Sequence, residues 1–300
     1  MATVISEFFG YRSDDNSKHA LDAASKRHCP YLDDQCTKVL RDGVIAGVCT
    51  LKPTRSSPVI CCPNRLYADD YRFLSDISER VFGPGLPLRP GAEAKVLARS
   101  SRRPAIAVFG KRWAGELHLP QREGSGSYFV DWILAKLDLN GALVEFVAVE
   151  VQSIDTTGNY RKARQDLLNN RKVSSATAGF NWENVSKRII PQILYKGHVL
   201  QRESKCVGGL FFVTPKPVYD KIMQRLGGEG VLVPYPLKSS TITFLAYDHD
   251  WGSAVEGAPT PLSLVKEFTT DTGQVAQAFA GPGVMPPMGC YENAINAALT

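Results

Sequence analysis

Residues 127–152 read SYFVDWILAKLDLNGALVEFVAVEVQ, and how this stretch folds decides the architecture. Residues 127–139 and 143–152 are both rich in β-branched and aromatic side chains, and Asn140-Gly141 between them is a strong hairpin signal. The pattern predicts two antiparallel strands. Side chains alternate along a strand, so Phe146, Ala148, Glu150 and Gln152 share one face while Val147, Val149 and Val151 take the other. Glu150 and Gln152 are thereby placed about 6–7 Å apart at Cα. On the preceding strand Asp131 is flanked by Phe129, Val130, Trp132 and Ile133. A buried carboxylate without a partner costs about several kcal/mol, so these acids need a cation, a proton or water. Two readings follow: a divalent ion held between Asp131 and Glu150, or acids that face solvent or pair with Lys and Arg.

Outward from this hairpin, the chain has the size and composition to bury a full core, with 300 residues and an apolar content of 44%. No run of about 18 apolar residues is present, which excludes a membrane-spanning helix. The opening residues lack a basic region followed by an apolar one, so a cytoplasmic protein with reduced thiols is expected. Net charge is only +5, but residues 157–205 carry ten Lys or Arg against three acids. Residues 241–300 carry one Lys against six acids. A basic segment just past the acidic strand suits an anionic polymer, although solvated helix faces would give the same count.

Upstream, five of the seven cysteines (Cys29, Cys36, Cys49, Cys61, Cys62) fall within 34 residues, among turn-formers and few periodic apolar residues. Such a segment lacks material for its own core, and four thiolates around one zinc or iron ion would supply the constraint. Cys62, followed by Pro63, is the expected fourth ligand beside Cys29, Cys36 and Cys49. The alternative is a set of ordinary buried thiols. Residues 1–68 are accordingly expected to form a metal-binding element and residues 69–300 the main domain.

Further elements are expected as a helix over 69–82, a proline-rich basic linker to Arg103, and strands at 105–109 and 115–119, the second presenting Glu116. Helices follow at 160–171 and 184–202, the latter kinked at Pro191, and at 216–226; buried strands lie at 207–213 and 241–247. Weak helix signals mark 262–268 and 291–299. Strands alternating with helices imply an α/β fold, a mixed central sheet flanked by helices. The five histidines form no metal-ligand pair on one helix face, and Asp248-His249-Asp250 reads as a strand-end turn. No phosphate-binding glycine loop and no nucleophile elbow are present, which removes support for nucleotide-cofactor and covalent chemistry.

The motifs Glu7-Phe8-Phe9-Gly10, Cys29-Pro30, Cys36, Gly47-Val48-Cys49 and Cys62-Pro63-Asn64-Arg65 resemble those of the NotI family of restriction endonucleases. Gly115-Glu116-Leu117, Asp131-Trp132, Glu150-Val151-Gln152, Gly158-x-Tyr160 and Asn184-Val185-x-Lys187-Arg188 follow in the same order. The resemblance implies a restriction-endonuclease-like PD-(D/E)XK core, an N-terminal four-cysteine iron site (Cys29, Cys36, Cys49, Cys62), and a homodimer cutting palindromic double-stranded DNA. It further implies Mg²⁺ at Asp131 and Glu150, Gln152 where lysine is usual, Glu116 as an additional acid, and a paired DNA methyltransferase. Arg161, Lys162, Arg164, Lys187 and Arg188 are the candidate phosphate contacts. The alternatives are a repair or recombination nuclease of the same core, and a non-catalytic DNA-binding protein stapled by a metal.

Overall fold

A computed structural model describes residues 2–117, 129–281 and 285–300. The hairpin forms: Trp132–Leu137 pairs antiparallel with Leu143–Val151, and residues 127 and 128 of the expected first strand lie outside the described residues. Its turn is closed by Asp138, whose carboxylate accepts from the backbone N–H groups of Asn140 and Ala142, both at 2.8 Å. Gly141 supplies the positive φ of 74° that this turn needs.

Around the hairpin a seven-stranded sheet assembles. Its order is Leu262–Asp271, Thr241–His249, Cys206–Pro215, Leu143–Val151, Trp132–Leu137, Ala105–Gly110, Leu88–Pro90. Leu143–Val151, Cys206–Pro215 and Thr241–His249 run parallel, as do the last two strands in the order; the remaining pairs are antiparallel. The sheet is therefore mixed, with helices on both faces. On one face Val147, Val149, Val151, Trp132 and Phe211 pack against Phe73, Leu74 and Ile77 of the Ala68–Phe82 helix. On the other, Ala148, Phe212 and Phe244 meet Ile193 and Leu200 of the Ile190–Leu200 helix, Ile222 of Lys216–Arg225 and Val275 of Thr272–Ala280.

Several sequence expectations are corrected. Residues 262–268 belong to a strand, not a helix: Leu262, Leu264 and Phe268 pair antiparallel with His249, Tyr247 and Phe244, and Val265 falls at the one register shift. The linker before Arg103 contains the Gly91–Ser101 helix, whose small Ala94 and Ala98 lie flat on Ala105 and Ala107. At the start of the 69–82 helix, Asp69, Asp70 and Tyr71 adopt left-handed φ of 55°, 53° and 60°, so the expected acidic first turn is not helical. Pro191 falls where the helical run changes pitch, with right-handed helical backbone at Asn184, Ile189 and Ile190. It sits in the first turn of Ile190–Leu200, directly after the π-turn Val185–Ile189. The helix signal at 291–299 is matched by Cys290–Leu299.

The N-terminal residues build a second, five-stranded sheet with Thr3–Phe8 between Val48–Pro53 and Ser175–Ala176. Its core combines Ile5, Phe8, Phe9, Val48 and Leu51 with Tyr160, Ala163, Leu167, Ala176 and Ala178. The apolar material missing from residues 29–62 is thus supplied by residues 160–178, including the Arg161–Asn170 helix. A buried ion pair bolts this sheet to the central one. Arg65 Nε donates to Glu7 at 3.0 and 3.1 Å and Nη2 donates at 3.0 Å, while His249 Nε2 stands 3.0 Å from Glu7 Oε2. Arg65 also donates to the Thr260 carbonyl, and Thr50 to Glu7. Burial opposes charge on Glu7, but Arg65 and His249 outweigh it and hold the carboxyl down at about 2. His249, expected as a strand-end turn, is in fact part of this interior network.

Candidate active site

The site lies where the hairpin strands run out toward Gln152. Trp132 fixes the first of them: its buried ring sits 5.7, 5.2 and 6.2 Å from the rings of Tyr67, Tyr71 and Phe73. Gly110 makes room, since a Cβ there would meet the Trp132 ring at 2.2 Å. With Trp132 turned to one face, Asp131 must emerge on the other. The register sets Trp132 opposite Val149, which brings Asp131 alongside Glu150. Asp131 Oδ2 accepts from the Val151 N–H at 2.8 Å, a bond a strand backbone would otherwise have made.

Both carboxylates are poorly placed for an ordinary protein interior. Glu150 is buried, and its Oε2 has no hydrogen-bond partner among the described residues. Burial first, and then the neighbouring charge of Glu150, push the Asp131 carboxyl up to about 7; the Val151 N–H and Lys196 act against that shift, and Glu116 adds to it. Glu116 is therefore within electrostatic reach of the pair, although it and Leu117 lie outside any strand; His118 and Leu119 of that expected strand fall outside the described residues. Gln152 points elsewhere: its Nε2 donates to the Ser153 carbonyl at 2.8 Å. Its own carbonyl accepts from Thr214 Oγ1 at 2.8 Å, beside Pro215, which has no N–H to offer.

One residue at the centre was not singled out from sequence. Lys196, on the Ile190–Leu200 helix, places Nζ 2.5 Å from Glu150 Oε1, and only 15% of its side chain is exposed. The available signal was a lone lysine on the apolar face between Ile193 and Leu200. An apolar cavity of about 390 Å³, lined by Phe129, Val130, Ile133, Phe146, Tyr195 and Lys196, adjoins the pair.

The four singled-out cysteines are all buried. They sense one another: Cys62, Cys29 and Cys36 each weigh on Cys49, while burial pushes the Cys29 thiol up to about 11 and Cys62 up to about 12. Cys36, Cys49 and Cys61 each set Sγ against a backbone carbonyl, and Cys61 alone of these also receives Lys38 Nζ, at 3.4 Å. Among the described residues, no group of three or more His, Cys, Asp or Glu side chains is already arranged to hold a metal ion. Two carboxylates still suit Mg²⁺, which keeps several waters and takes one or two protein carboxylates plus substrate phosphate. The free Glu150 Oε2 beside Asp131 is a donor set of that kind.

The basic candidates divide. Lys162 is exposed; Arg161 pairs with Asp42, Lys187 with Glu183 at 2.5 Å and Arg188 with Asp155 at 3.2 Å, all on the surface. Arg164 is a correction. It is buried, and its Nε donates to the Ile45 and Ala46 carbonyls at 2.9 and 3.0 Å, so it ties a helix to a turn and is not free for phosphate. Arg161 and Asp155 also line a polar cavity of about 610 Å³ with Lys38, Arg41, Gly158 and Tyr160.

A family profile described as restriction endonuclease NotI matches residues 16–214, well over half of the chain. The chain belongs to the NotI restriction endonuclease family. The matched span takes in the cysteine array, the hairpin with both acids, and Lys196. As a member of the NotI family the protein is a type II restriction endonuclease, a site-specific deoxyribonuclease that hydrolyses DNA. Among the described residues no helix is long and apolar enough to cross a membrane. No curated protein matches the chain.

Proposed function

We propose that the protein cleaves double-stranded DNA with Mg²⁺ held by Asp131 and Glu150, on a PD-(D/E)XK core formed by the central sheet. The observation that carries this reading is the buried Glu150 Oε2, without a hydrogen-bond partner among the described residues, next to a second acid at the mouth of the hairpin. The ion, when bound, supplies Lewis-acid activation of the attacking water and the scissile phosphate. The chain's own residues do the rest. Val151 N–H holds the Asp131 carboxylate through Oδ2. Gln152 would have to leave the Ser153 carbonyl to hydrogen-bond water or phosphate, which it would do without adding charge, and Glu116 adds a further negative charge near the pair. Water oxygen bonds to phosphorus as the bond to the 3′-oxygen breaks; one proton leaves the water and one is taken up by the 3′-oxygen, leaving 5′-phosphate and 3′-hydroxyl ends.

Arg161, Lys162, Lys187 and Arg188 are the proposed phosphate contacts, each exchanging a surface position for a DNA oxygen. A homodimer reading a palindrome fits two-fold symmetry, with a paired methyltransferase protecting host DNA. Cys29, Cys36, Cys49 and Cys62 are proposed to hold a structural iron, or zinc, with their thiols deprotonating as the metal draws them together. The proposed division is an N-terminal metal-binding element, residues 1–68, and a nuclease domain, residues 69–300, of which residues 160–178 pack into the N-terminal core. Digesting a fully sequenced DNA with and without Mg²⁺ and mapping the ends tests the reading; discrete fragments that persist in EDTA would refute the metal. Elemental analysis of the purified protein, with about one iron or zinc per chain expected, tests the cysteine site.

A further inference from the structure

Gln152 leaves the two-carboxylate site without a cation on its own strand, and the structure provides one from a different element. Lys196 reaches in from the Ile190–Leu200 helix to 2.5 Å from Glu150 Oε1, over the Phe129 ring at 6.0 Å. Its height on the sheet is set by packing. Gly197, next in sequence, lies so close to Thr272 that a Cβ would meet Oγ1 at 2.7 Å, while Ile193 and Leu200 anchor the helix one turn to either side. A lysine on an otherwise apolar helix face, largely buried, carries a desolvation cost that surface placement would avoid. Such a cost is retained where the charge has a task.

We infer that Lys196 is a catalytic residue: its ammonium, relayed from Glu150 to the scissile phosphate when DNA and metal are bound, neutralises charge that Gln152 cannot. This rests on the carboxylate site proposed above. The chemistry needs a positive charge on the non-bridging phosphate oxygens as the fifth bond to phosphorus forms, and an ammonium is a compact point charge suited to that place. With a cation held at Glu150, Lys196 would lose its present partner, and its four-carbon stem could swing while Gly197 stays packed.

The discriminating experiment exchanges the lysine between the two positions. Lys196→Ala is expected to slow single-turnover cleavage about 100- to 1000-fold, with the melting temperature, DNA affinity in Ca²⁺ and Mg²⁺ binding within a few-fold of the parent. Placing the lysine on the strand, in Lys196→Ala with Gln152→Lys, is expected to restore at least about tenfold of the loss, a gain that a merely structural lysine would not produce. Lys196→Met serves as a second variant if the alanine protein does not fold. Cleavage within about threefold of the parent in a folded Lys196 variant overturns the inference, and so does a slowed variant that Gln152→Lys fails to improve. Glu150→Gln, measured alongside, separates the two readings: if it still cuts, the carboxylate site itself is wrong, whereas an inactive Glu150→Gln with an active Lys196→Ala removes only the lysine.

Discussion

Two carboxylates in this molecule, one sealed in the interior and one half-buried at the hairpin mouth, face opposite fates. Glu7 is sealed between the two sheets, yet both of its oxygens are taken by Arg65, with His249 and Thr50 on the second, and it is held down at about 2. Asp131, beside Glu150, has one N–H and a shared lysine, and burial with the neighbouring charge pushes it up to about 7. Burial works against ionisation at both places. What differs is whether the fold itself completes the neutralisation. At Glu7 it does, and the acid holds sheets together; at Asp131 it does not, and the deficit is what an incoming cation would make good.

Breaking the hairpin site should have the largest effect. Glu150→Gln is expected to reduce single-turnover cleavage by at least about 1000-fold, the loss of several kcal/mol of transition-state stabilisation. DNA binding in Ca²⁺, followed by gel shift, should persist. Next, Arg65→Met strips the partner from the interior acid and should cost about 3–5 kcal/mol in chemical denaturation. Adding Glu7→Gln should recover part of it; if the single variant unfolds no more easily than the parent, the contrast fails. The interior pair also predicts an acid limit. Glu7 titrates at 4.5 ordinarily and about 2 in the fold, so its contribution is present above 4.5 and is lost as pH falls toward 2.

For Asp131 the sign reverses. Its ordinary value of 3.8 rises to about 7, so the folded protein holds a proton the unfolded chain has lost, and this group's penalty grows as pH rises from 3.8 to 7. Asp131→Asn should therefore melt a few degrees higher than the parent at pH 8, with little difference near pH 4, while losing cleavage. A variant that is equally stable at both pH values would show that the acid pair is not under strain. The smallest effects belong to the surface. Lys187→Ala or Arg188→Ala should each lower the slope of log affinity against log salt by about 0.9 if it meets a phosphate. Arg164→Ala should instead lower stability, because it leaves the Ile45 and Ala46 carbonyls without their donor.

Much of this was written in local pattern. The hairpin, its turn, the alternation that puts Glu150 on one face and the valines on the other, and the helices over 160–171 and 216–226 followed from periodicity and turn residues. What escaped was set by distant partners. Residues 262–268 carry a mixed pattern that only the neighbouring Thr241–His249 strand resolves. The Gly91–Ser101 helix packs through alanines, which give little periodic contrast. Lys196 reads as one more basic residue until the fold sets it against Glu150, more than forty positions away. Arg164 failed for the converse reason: charge alone does not reveal that two carbonyls from residues 45 and 46 enclose it.

The path of the backbone past Gln152 carries one more implication. After the acidic strand the polypeptide does not stay on the central sheet. It crosses to the N-terminal one, contributes Tyr160, the Arg161–Asn170 helix and the edge strand Ser175–Ala176, and only then returns as the helix bearing Lys196. Scissors placed anywhere near residue 68 would therefore leave a stranded loop, stripped of its bedding, between the acids and the lysine. An active fragment by trimming from the front is not on offer, and any lesion that loosens the cysteine-bearing half should be felt as a wandering amine at the cutting centre.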